Sequence, residues 1–160
     1  MEQMHISLSG KNDIEKMTKA RVEYCLRNSP NIDKKEYDAF YQQVKVWVEN
    51  NAKAENFVTY FGDINNEIIS FAGVLMFTLP PIYGKDERKE GYILSFYTYP
   101  KYRKMGYGKQ LMEHIQKDAI NLEIDDLVLK ATSDGEHLYR ICGFHEPSMP
   151  YLEYKIETKY

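Results

Sequence analysis

Cysteine, tryptophan and long apolar runs are all scarce in this sequence of 160 residues. There are 2 cysteines, Cys25 and Cys142, and 1 tryptophan. The cysteines lie far apart, and the chain has no Cys-x-x-Cys, His-x-x-His or His-Glu-x-x-His pattern, so we expect neither a metal site nor a disulfide scaffold. No stretch approaches the roughly 18 apolar residues of a membrane span, and the N-terminus shows no basic start followed by an apolar run. We therefore expect a cytoplasmic protein with no membrane partner.

An excess of positive charge is also missing. The chain has 21 lysines and arginines against 24 acidic residues, a formal net charge of −3. A broad electrostatic footprint for nucleic acid is therefore absent. The one enriched residue type is tyrosine, with 14 copies, and tyrosines can serve as stacking platforms for bases. Because the net charge conflicts with that alternative, we expect no nucleic-acid partner and place any anion site in a local cluster.

The length and ordinary composition predict a single domain over residues 1–160, since no repeat, low-complexity tract or flexible linker divides the chain.

Apolar spacing of 3.6 residues predicts helices, and alternation of apolar and polar residues predicts strands. A capping box of Asp33 and Glu36 marks the start of the second helix. Tyr83 to Gly91 is too polar for core and is interpreted as an exposed loop. The predicted helices are 13–27, 33–48, 106–121 and 137–142, and the predicted strands are 57–61 and 68–77 (a hairpin turning through 62–66), 92–99, 126–131, 151–156 and a first strand at 4–8. This order predicts a mixed α/β fold with a parallel strand–helix–strand crossover over 92–131.

The segment from Lys101 to Gln110 concentrates positive charge where a predicted strand ends and a helix begins. It has four cations, Lys101, Arg103, Lys104 and Lys109, and no acid. Helix N-termini carry partial positive charge and favour acidic residues, so cations there destabilise the helix unless an anion is bound. Gly106 and Gly108 would let the backbone approach that anion closely. We interpret the segment as a phosphate-binding turn.

Other interpretations of residues 101–110 have less support from the residues. A solvent-exposed turn with incidental lysines stays open on these residues alone. A P-loop needs glycine where Arg103 stands and serine or threonine where Gln110 stands, and a dinucleotide fingerprint needs glycine at Leu111. Both common nucleotide motifs therefore fail.

The residues 103–108, Arg-Lys-Met-Gly-Tyr-Gly, resemble the pyrophosphate-binding signature Arg/Gln-x-x-Gly-x-Gly/Ala of the GNAT superfamily of acetyl-CoA-dependent N-acetyltransferases. Residues 93–103 resemble the family's fourth strand and the turn after it. Residues 138–144, Leu-Tyr-Arg-Ile-Cys-Gly-Phe, are similar to its Leu-Tyr-x-x-Leu-Gly-Phe segment. The departures are mild: Tyr107 replaces a small aliphatic residue, Cys142 replaces leucine, and Asp134-Gly135 lies where asparagine is common.

The resemblance implies a mostly antiparallel central sheet with helices on both faces and a parallel β-α-β core that binds acetyl-CoA. It implies that the pantetheine arm pairs with the backbone of one strand segment and that the pyrophosphate binds the turn. Transfer of acetyl to a primary amine of a small molecule or peptide, by direct attack and without metal, is the implied reaction. Pairing as a homodimer is a further expectation from the family. The implied cofactor-binding residues are Phe96, Tyr97 and Thr98 for the arm, and Arg103, Lys104, Met105, Gly106, Tyr107, Gly108 and Lys109 for the pyrophosphate.

Tyr139 matches the family's usual general acid, and the resemblance assigns it that catalytic role. With a reference pKa near 10, a tyrosine is protonated at neutral pH and can donate to a thiolate whose conjugate acid lies near 8.5. The alternative is a tyrosine that only packs the last helix. No base can be nominated, because Glu55, Asp63 and Glu67 are more simply turn or surface residues. An acyl-CoA-binding module without transferase activity therefore stays open as an alternative function.

Overall fold

One five-stranded sheet organises the residues up to Lys130. The computed structural model describes residues 2–157, and within them the strands follow chain order across the sheet. The first four strands pair antiparallel, whereas the fourth and fifth pair parallel. The initial strand predicted at 4–8 is confirmed. The strands are β1 (His5–Ser9), β2 (Phe57–Ile64), β3 (Glu67–Leu79), β4 (Arg88–Thr98) and β5 (Asp126–Leu129).

The helices begin close to where their sequence patterns predict. They are α1 (Ile14–Leu26), α2 (Lys34–Lys53), α3 (Tyr107–Asp118) and α4 (Glu136–Ile141). The capping box is present at α2: the Asp33 carboxylate accepts from the Glu36 N–H at 2.9 Å, and the Asp33 N–H donates back to the Glu36 carboxylate. This reciprocal pair satisfies two of the N–H groups that a helix N-terminus leaves unbonded.

Helices cover both faces of the sheet. Neighbouring residues of a strand point to opposite faces. On β2, Phe61 packs in the core with Met17 of α1 and Val48 of α2, whereas the adjacent Tyr60 donates from its hydroxyl to Asp118 of α3 at 2.6 Å. The chain therefore buries apolar side chains on both sides of the sheet, and the predicted mixed α/β fold class is confirmed. The predicted parallel crossover is confirmed as β4-α3-β5.

Two predictions in this part of the chain are wrong. The polar segment 83–91 is not all loop, because β4 begins at Arg88 and pairs with the extended end of β3. Backbone pairing does not depend on side-chain polarity, and the Asp125 carboxylate supports the segment by accepting from the Lys85 ammonium and the Lys89 N–H. Gly62 and Asp63 do not form the hairpin turn: β2 continues past them through a bulge to Ile64, and the turn is Asn65-Asn66, both with positive φ.

Residues from Ala131 onward form a second compact unit, which contains α4. The helix ends where Gly143 adopts φ +91° and its N–H donates to the Arg140 carbonyl, as predicted for a glycine cap. The strand predicted at 151–156 is wrong. Tyr151, Leu152, Tyr154 and Ile156 are all at least 75% exposed, and residues 150–157 form no strand. Alternation specifies which face a strand would bury, but a strand also needs a neighbour for its backbone groups. The prediction of one domain over 1–160 stays a prediction.

Candidate active site

β4 is paired along unequal lengths on its two sides. Toward β3 its register runs from Arg88 to Thr98, whereas toward β5 it runs only from Glu90 to Ile93. From Leu94 onward, the side of β4 that faces away from β3 therefore has no paired strand among the described residues. We call this backbone segment, Leu94 to Thr98, the open edge. It includes Phe96, Tyr97 and Thr98, three of the predicted cofactor-binding residues.

A β-bulge lies where the open edge begins. Leu94 pairs with Gly73 and Tyr97 pairs with Phe71, so two residues of β4, Ser95 and Phe96, stand opposite one residue of β3. Ser95 has φ +56° and is buried. A left-handed conformation costs a non-glycine residue about 1–2 kcal/mol, and bulges bend and twist the strand that carries them. The bulge therefore bends β4 where its pairing with β5 ends.

Helix α1 packs against one face of the open edge and against Tyr99, the residue that follows it, through three side-chain contacts. A guanidinium N–H of Arg21 donates to the Ser95 hydroxyl at 2.7 Å. One turn later, the Tyr24 ring packs edge-to-face against Tyr97 with centroids 6.4 Å apart. The Tyr99 hydroxyl donates to the Glu23 carboxylate at 2.7 Å. Burial and this hydrogen bond raise the pKa of Tyr99 well above its ordinary value, so its phenol stays protonated at neutral pH.

The predicted phosphate-binding turn follows directly on the open edge. A single 3₁₀ turn at Pro100–Tyr102 leads to Lys104, with φ +60°, and to Gly106, with φ +85°, which is the N-cap of α3. No side chain caps α3, and its first turn contains no acidic residue. The N–H groups at the start of a helix lack intrahelical acceptors. The turn therefore presents several backbone donors and the positive end of a helix dipole at one place.

The four cations of this turn have different environments. Lys101 is paired with Glu67 at 2.6 Å, and that carboxylate raises the pKa of the lysine. Arg103 donates to the Thr98 carbonyl at 2.8 Å, and Lys109 lies 3.6 Å from Glu113. Lys104 makes no side-chain hydrogen bond or ion pair with residues 2–157. Of the predicted set, Lys104 and Lys109 are therefore the cations most open to an anion.

The remaining residues of the turn contribute mainly backbone. Tyr107 is buried, with its ring 6.2 Å from that of Tyr102, so its side chain belongs to the core and only its backbone faces the turn. Met105 is exposed, and Gly108 is half-buried in the first turn of α3. The sequence could not tell whether the tyrosine at 107 would obstruct the turn. Its burial leaves the turn unobstructed.

Tyr139 lies in α4, within the second compact unit. Its ring packs edge-to-face against Phe144 at 6.1 Å, and its carbonyl accepts from the Phe144 N–H. Next to it, Arg140 pairs with Glu136 and with Glu146, which joins α4 to the segment that follows the helix. The hydrogen bonds from Arg140 lower the pKa of Glu146 to about 2.

The carboxylates considered from the sequence all have a basic side chain as partner. Glu55 pairs with Lys11, Asp63 with His5, and Glu67 with Lys101. Glu23, which contacts Tyr99 at the end of β4, was not found by sequence reasoning, and neither was Arg21. Both lie in a predicted helix with no motif around them, so no signal in the sequence distinguishes them from surface residues.

Comparison with known proteins agrees with this geometry. A family model described as the Acetyltransferase (GNAT) family matches residues 21–144, which is more than half of the chain. The chain belongs to the GNAT family of acetyltransferases. GNAT membership confirms the resemblance seen in the sequence and supports acyl transfer as the general chemistry. No functionally curated protein shows significant sequence similarity to the chain.

Solved structures share the fold of this GNAT chain at low sequence identity. A predicted acetyltransferase from Clostridium acetobutylicum, solved with acetyl-CoA, is 23% identical over 96% of both chains, with a TM-score of 0.77. A GCN5-related N-acetyltransferase from Ralstonia eutropha is 21% identical over 95% of this chain and 99% of its own, with a TM-score of 0.70. A ribosomal-protein-alanine N-acetyltransferase from Brucella melitensis is 18% identical over 98% of this chain and all of its own, with a TM-score of 0.63.

Residues 2–157 contain no group of three or more histidine, cysteine, aspartate or glutamate side chains that is suited to hold a metal ion. Within the same range, no helix is both long and apolar enough to span a bilayer.

Proposed function

We propose that this GNAT chain transfers an acetyl group from acetyl-CoA to a primary amine of a small molecule or a peptide. The observation that carries the proposal is the continuity of the open edge with the uncapped, basic turn at the start of α3. An extended chain with amide groups fits the open edge, and a diphosphate fits the basic turn. The Clostridium relative, whose structure contains acetyl-CoA, supports this choice of ligand.

The donor set of the turn fits a diphosphate. The N–H groups at the start of α3 point out of the helix without intrahelical acceptors, and no acid competes for them. Gly106 has no side chain to fill the space in front of them, and Lys104 adds charge. In the proposal Lys104 and Lys109 bind the phosphates, whereas Arg103 holds the turn against Thr98.

The open edge supplies hydrogen bonds for the pantetheine arm. Backbone groups of successive strand residues alternate between the two sides of the strand. The Tyr99 N–H donates to the Ile69 carbonyl of β3, and the Tyr97 carbonyl accepts from the side-chain hydroxyl of Ser70 on β3, so the backbone N–H of Thr98 faces the open side. We therefore assign the pantetheine arm chiefly to the backbone of Phe96 and Thr98, and assign polarisation of the thioester carbonyl to a backbone N–H farther inward along the open edge.

Acetyl-CoA supplies the activated acyl group. The amine nitrogen forms a new bond to the acyl carbon while the carbon–sulfur bond breaks, and the ammonium proton leaves to solvent. The departing thiolate needs a proton, and in the proposal the Tyr139 hydroxyl donates it, to be reprotonated from water. Without Tyr139 the thiolate would leave unprotonated, which slows transfer but does not prevent binding.

The test measures release of free CoA with a thiol reagent across a panel of amines. We expect release with at least one amine class in the wild-type protein, and a kcat about 10²-fold lower in Tyr139→Phe, the scale typical of losing a general acid. Acetyl-CoA binding, measured by calorimetry, should be unchanged in this variant because the hydroxyl acts only on the leaving group.

Tyr83→Phe is the matched control, because Tyr83 is fully exposed and the same hydroxyl is removed. Its kcat should equal that of the wild type. Binding of acetyl-CoA with no CoA release for any amine would instead establish the alternative, a module that holds acyl-CoA without transferring it. Absence of acetyl-CoA binding would contradict both functions.

A further inference from the structure

Arg21 is a cation whose charge has no acidic partner among the described residues. One N–H of its guanidinium donates to the Ser95 hydroxyl at 2.7 Å, and no carboxylate lies within ion-pair distance. The side chain is half-buried, whereas Ser95 is almost fully buried. Guanidinium carries five N–H donors, so one neutral hydroxyl leaves most of its hydrogen-bonding capacity unused within residues 2–157 and its charge unpaired with a carboxylate there.

The acidic residues of α1 are engaged elsewhere. Glu15 pairs with Lys45 and accepts from the Tyr41 hydroxyl, and Glu23 accepts from Tyr99. A partly buried charge is unfavourable unless it is paired. The planar guanidinium fork is also the side chain best matched to a carboxylate, which it binds through two parallel hydrogen bonds. The local electrostatics thus favour an anionic group from outside the chain.

Arg21 lies at the inner end of the open edge. The basic turn is at the other end, beyond Thr98, and Ser95 lies two residues past Ile93, the last residue of β4 that pairs with β5. If the turn holds the pyrophosphate, an arm that follows the open edge inward brings its thioester toward Ser95. Beside it, Tyr24 and Tyr97 pack against each other and provide an apolar wall one helical turn from Arg21. A cation and an aromatic wall therefore flank the place where the acceptor has to approach.

We propose that Arg21 binds a carboxylate of the acceptor, so that the substrate is a primary amine that also carries a carboxylate. This inference rests on the proposed acetyl transfer and narrows its substrate class. The Arg21 guanidinium would bind the carboxylate of the acceptor, and the amine of the same molecule would remain free to reach the thioester.

The experiment compares amino acids with the amines obtained by removing only their carboxylate: phenylalanine with phenylethylamine, histidine with histamine, and lysine with cadaverine. CoA release gives kcat/KM for each member. We expect each accepted amino acid to exceed its amine at least about tenfold, the scale of one charge-assisted hydrogen-bonded pair. In Arg21→Gln the ratio should fall toward one, and Arg21→Lys should keep part of it.

Two control variants separate a loss of carboxylate recognition from a general loss of structure or charge. Ser95→Ala removes the hydrogen bond to Arg21 but keeps the guanidinium, so the ratio of amino acid to amine should persist even if the rate falls. Lys19→Gln removes one positive charge from an exposed position of the same helix and should leave both rate and ratio unchanged. The ratio is insensitive to the amount of folded protein, and a thermal shift with acetyl-CoA confirms that each variant is folded.

The outcomes distinguish this inference from the function on which it rests. Equal kcat/KM for amino acids and their amines, or a ratio unchanged in Arg21→Gln, overturns the carboxylate assignment and leaves acetyl transfer standing. Binding of acetyl-CoA without CoA release from any member of the panel counts against the transferase, and the inference then fails with it.

Discussion

The guanidinium of Arg103 donates to the carbonyl of Thr98 across 2.8 Å, so the first residue of the GNAT signature is bonded to the strand that precedes it. The same guanidinium lies 5.4 Å from the centroid of the Tyr97 ring. Arg103 therefore fixes the angle at which the basic turn leaves β4. The geometry indicates that its contribution to ligand binding comes largely through the shape of the turn.

We expect Arg103→Ala to weaken acetyl-CoA binding about tenfold, since a hydrogen bond from a charged group is worth about 1.5–3 kcal/mol and each 1.4 kcal/mol is tenfold in affinity. Titration calorimetry measures the change. Arg27→Ala is a matched control, because Arg27 also donates to a backbone carbonyl, that of Tyr24, and its guanidinium also lies over a tyrosine ring, again that of Tyr24. Equal losses of affinity in the two variants would contradict the role given to Arg103.

Gly106 and Gly84 form a second matched pair, since both have φ +85°. Substitution by alanine strains either position by about 1–2 kcal/mol, so the free energy of unfolding should fall by a similar amount in both variants. Gly106 is the N-cap of α3, whereas Gly84 lies between β3 and β4, so only Gly106→Ala should weaken acetyl-CoA binding. Urea unfolding and calorimetry on each variant test this, and an affinity loss in Gly84→Ala as large as that in Gly106→Ala would argue against the turn as the binding site.

The partly buried hydrogen bond from Tyr60 to Asp118 should make stability depend on pH. It is the largest cause that lowers the pKa of Asp118 below its usual value near 3.8. A lowered pKa in the folded state stabilises the protein above the unfolded pKa, and this stability is lost as the pH falls through the folded value.

We expect Tyr60→Phe to lower the free energy of unfolding by about 1.5–3 kcal/mol at pH 7, the usual range for a hydrogen bond to a charged group. The difference from wild type should begin to shrink below about pH 4, where Asp118 of the unfolded chain takes up a proton, and should be lost as the pH falls through the lower pKa of the folded state. Urea unfolding between pH 3 and 7 measures it. Tyr37→Phe, at an exposed position, should show no such pH dependence, and a constant difference for Tyr60→Phe across this range would refute the linkage.

The capping box of α2 offers a test of local stability away from the site. Asp33→Ala should lower the free energy of unfolding by about 1 kcal/mol, because it removes the acceptor of the Glu36 N–H. Asp13 is the N-cap of α1 but makes no side-chain cap hydrogen bond, so Asp13→Ala should change stability far less. Thermal denaturation compares the two, and acetyl-CoA affinity should be the same in both.

The sequence predicts those parts of the fold that local patterns specify. The start of α2 follows from Asp33 and Glu36, and the crossover β4-α3-β5 follows from apolar spacing. The basic turn is visible because its cations stand where a helix dipole disfavours them. These features depend on residues within a few positions of one another.

Features that depend on distant pairs escape such reasoning. The contact of Arg21 with Ser95 joins residues 74 positions apart, and the bulge at Ser95 arises from the register between β3 and β4. The start of β4 at Arg88 was missed for the same reason, because the extension of β3 creates the pairing. The alternation at 151–156 led to the opposite error, a predicted strand for which the described part of the chain provides no neighbouring strand.

Because β4 is paired along unequal lengths on its two sides, neighbouring amides at its end differ in how readily they exchange with solvent. The Tyr99 N–H is bonded to the Ile69 carbonyl of β3, whereas the Thr98 N–H faces the open edge, where residues 2–157 supply no paired strand. Hydrogen–deuterium exchange should therefore be slow at Tyr99 whether or not acetyl-CoA is present, and should slow markedly at Thr98 only when it is added. The Tyr99 amide would then serve as an internal reference and the adjacent Thr98 amide as a reporter of bound acetyl-CoA. Occupancy of the open edge can therefore be titrated by following exchange at one amide relative to the other.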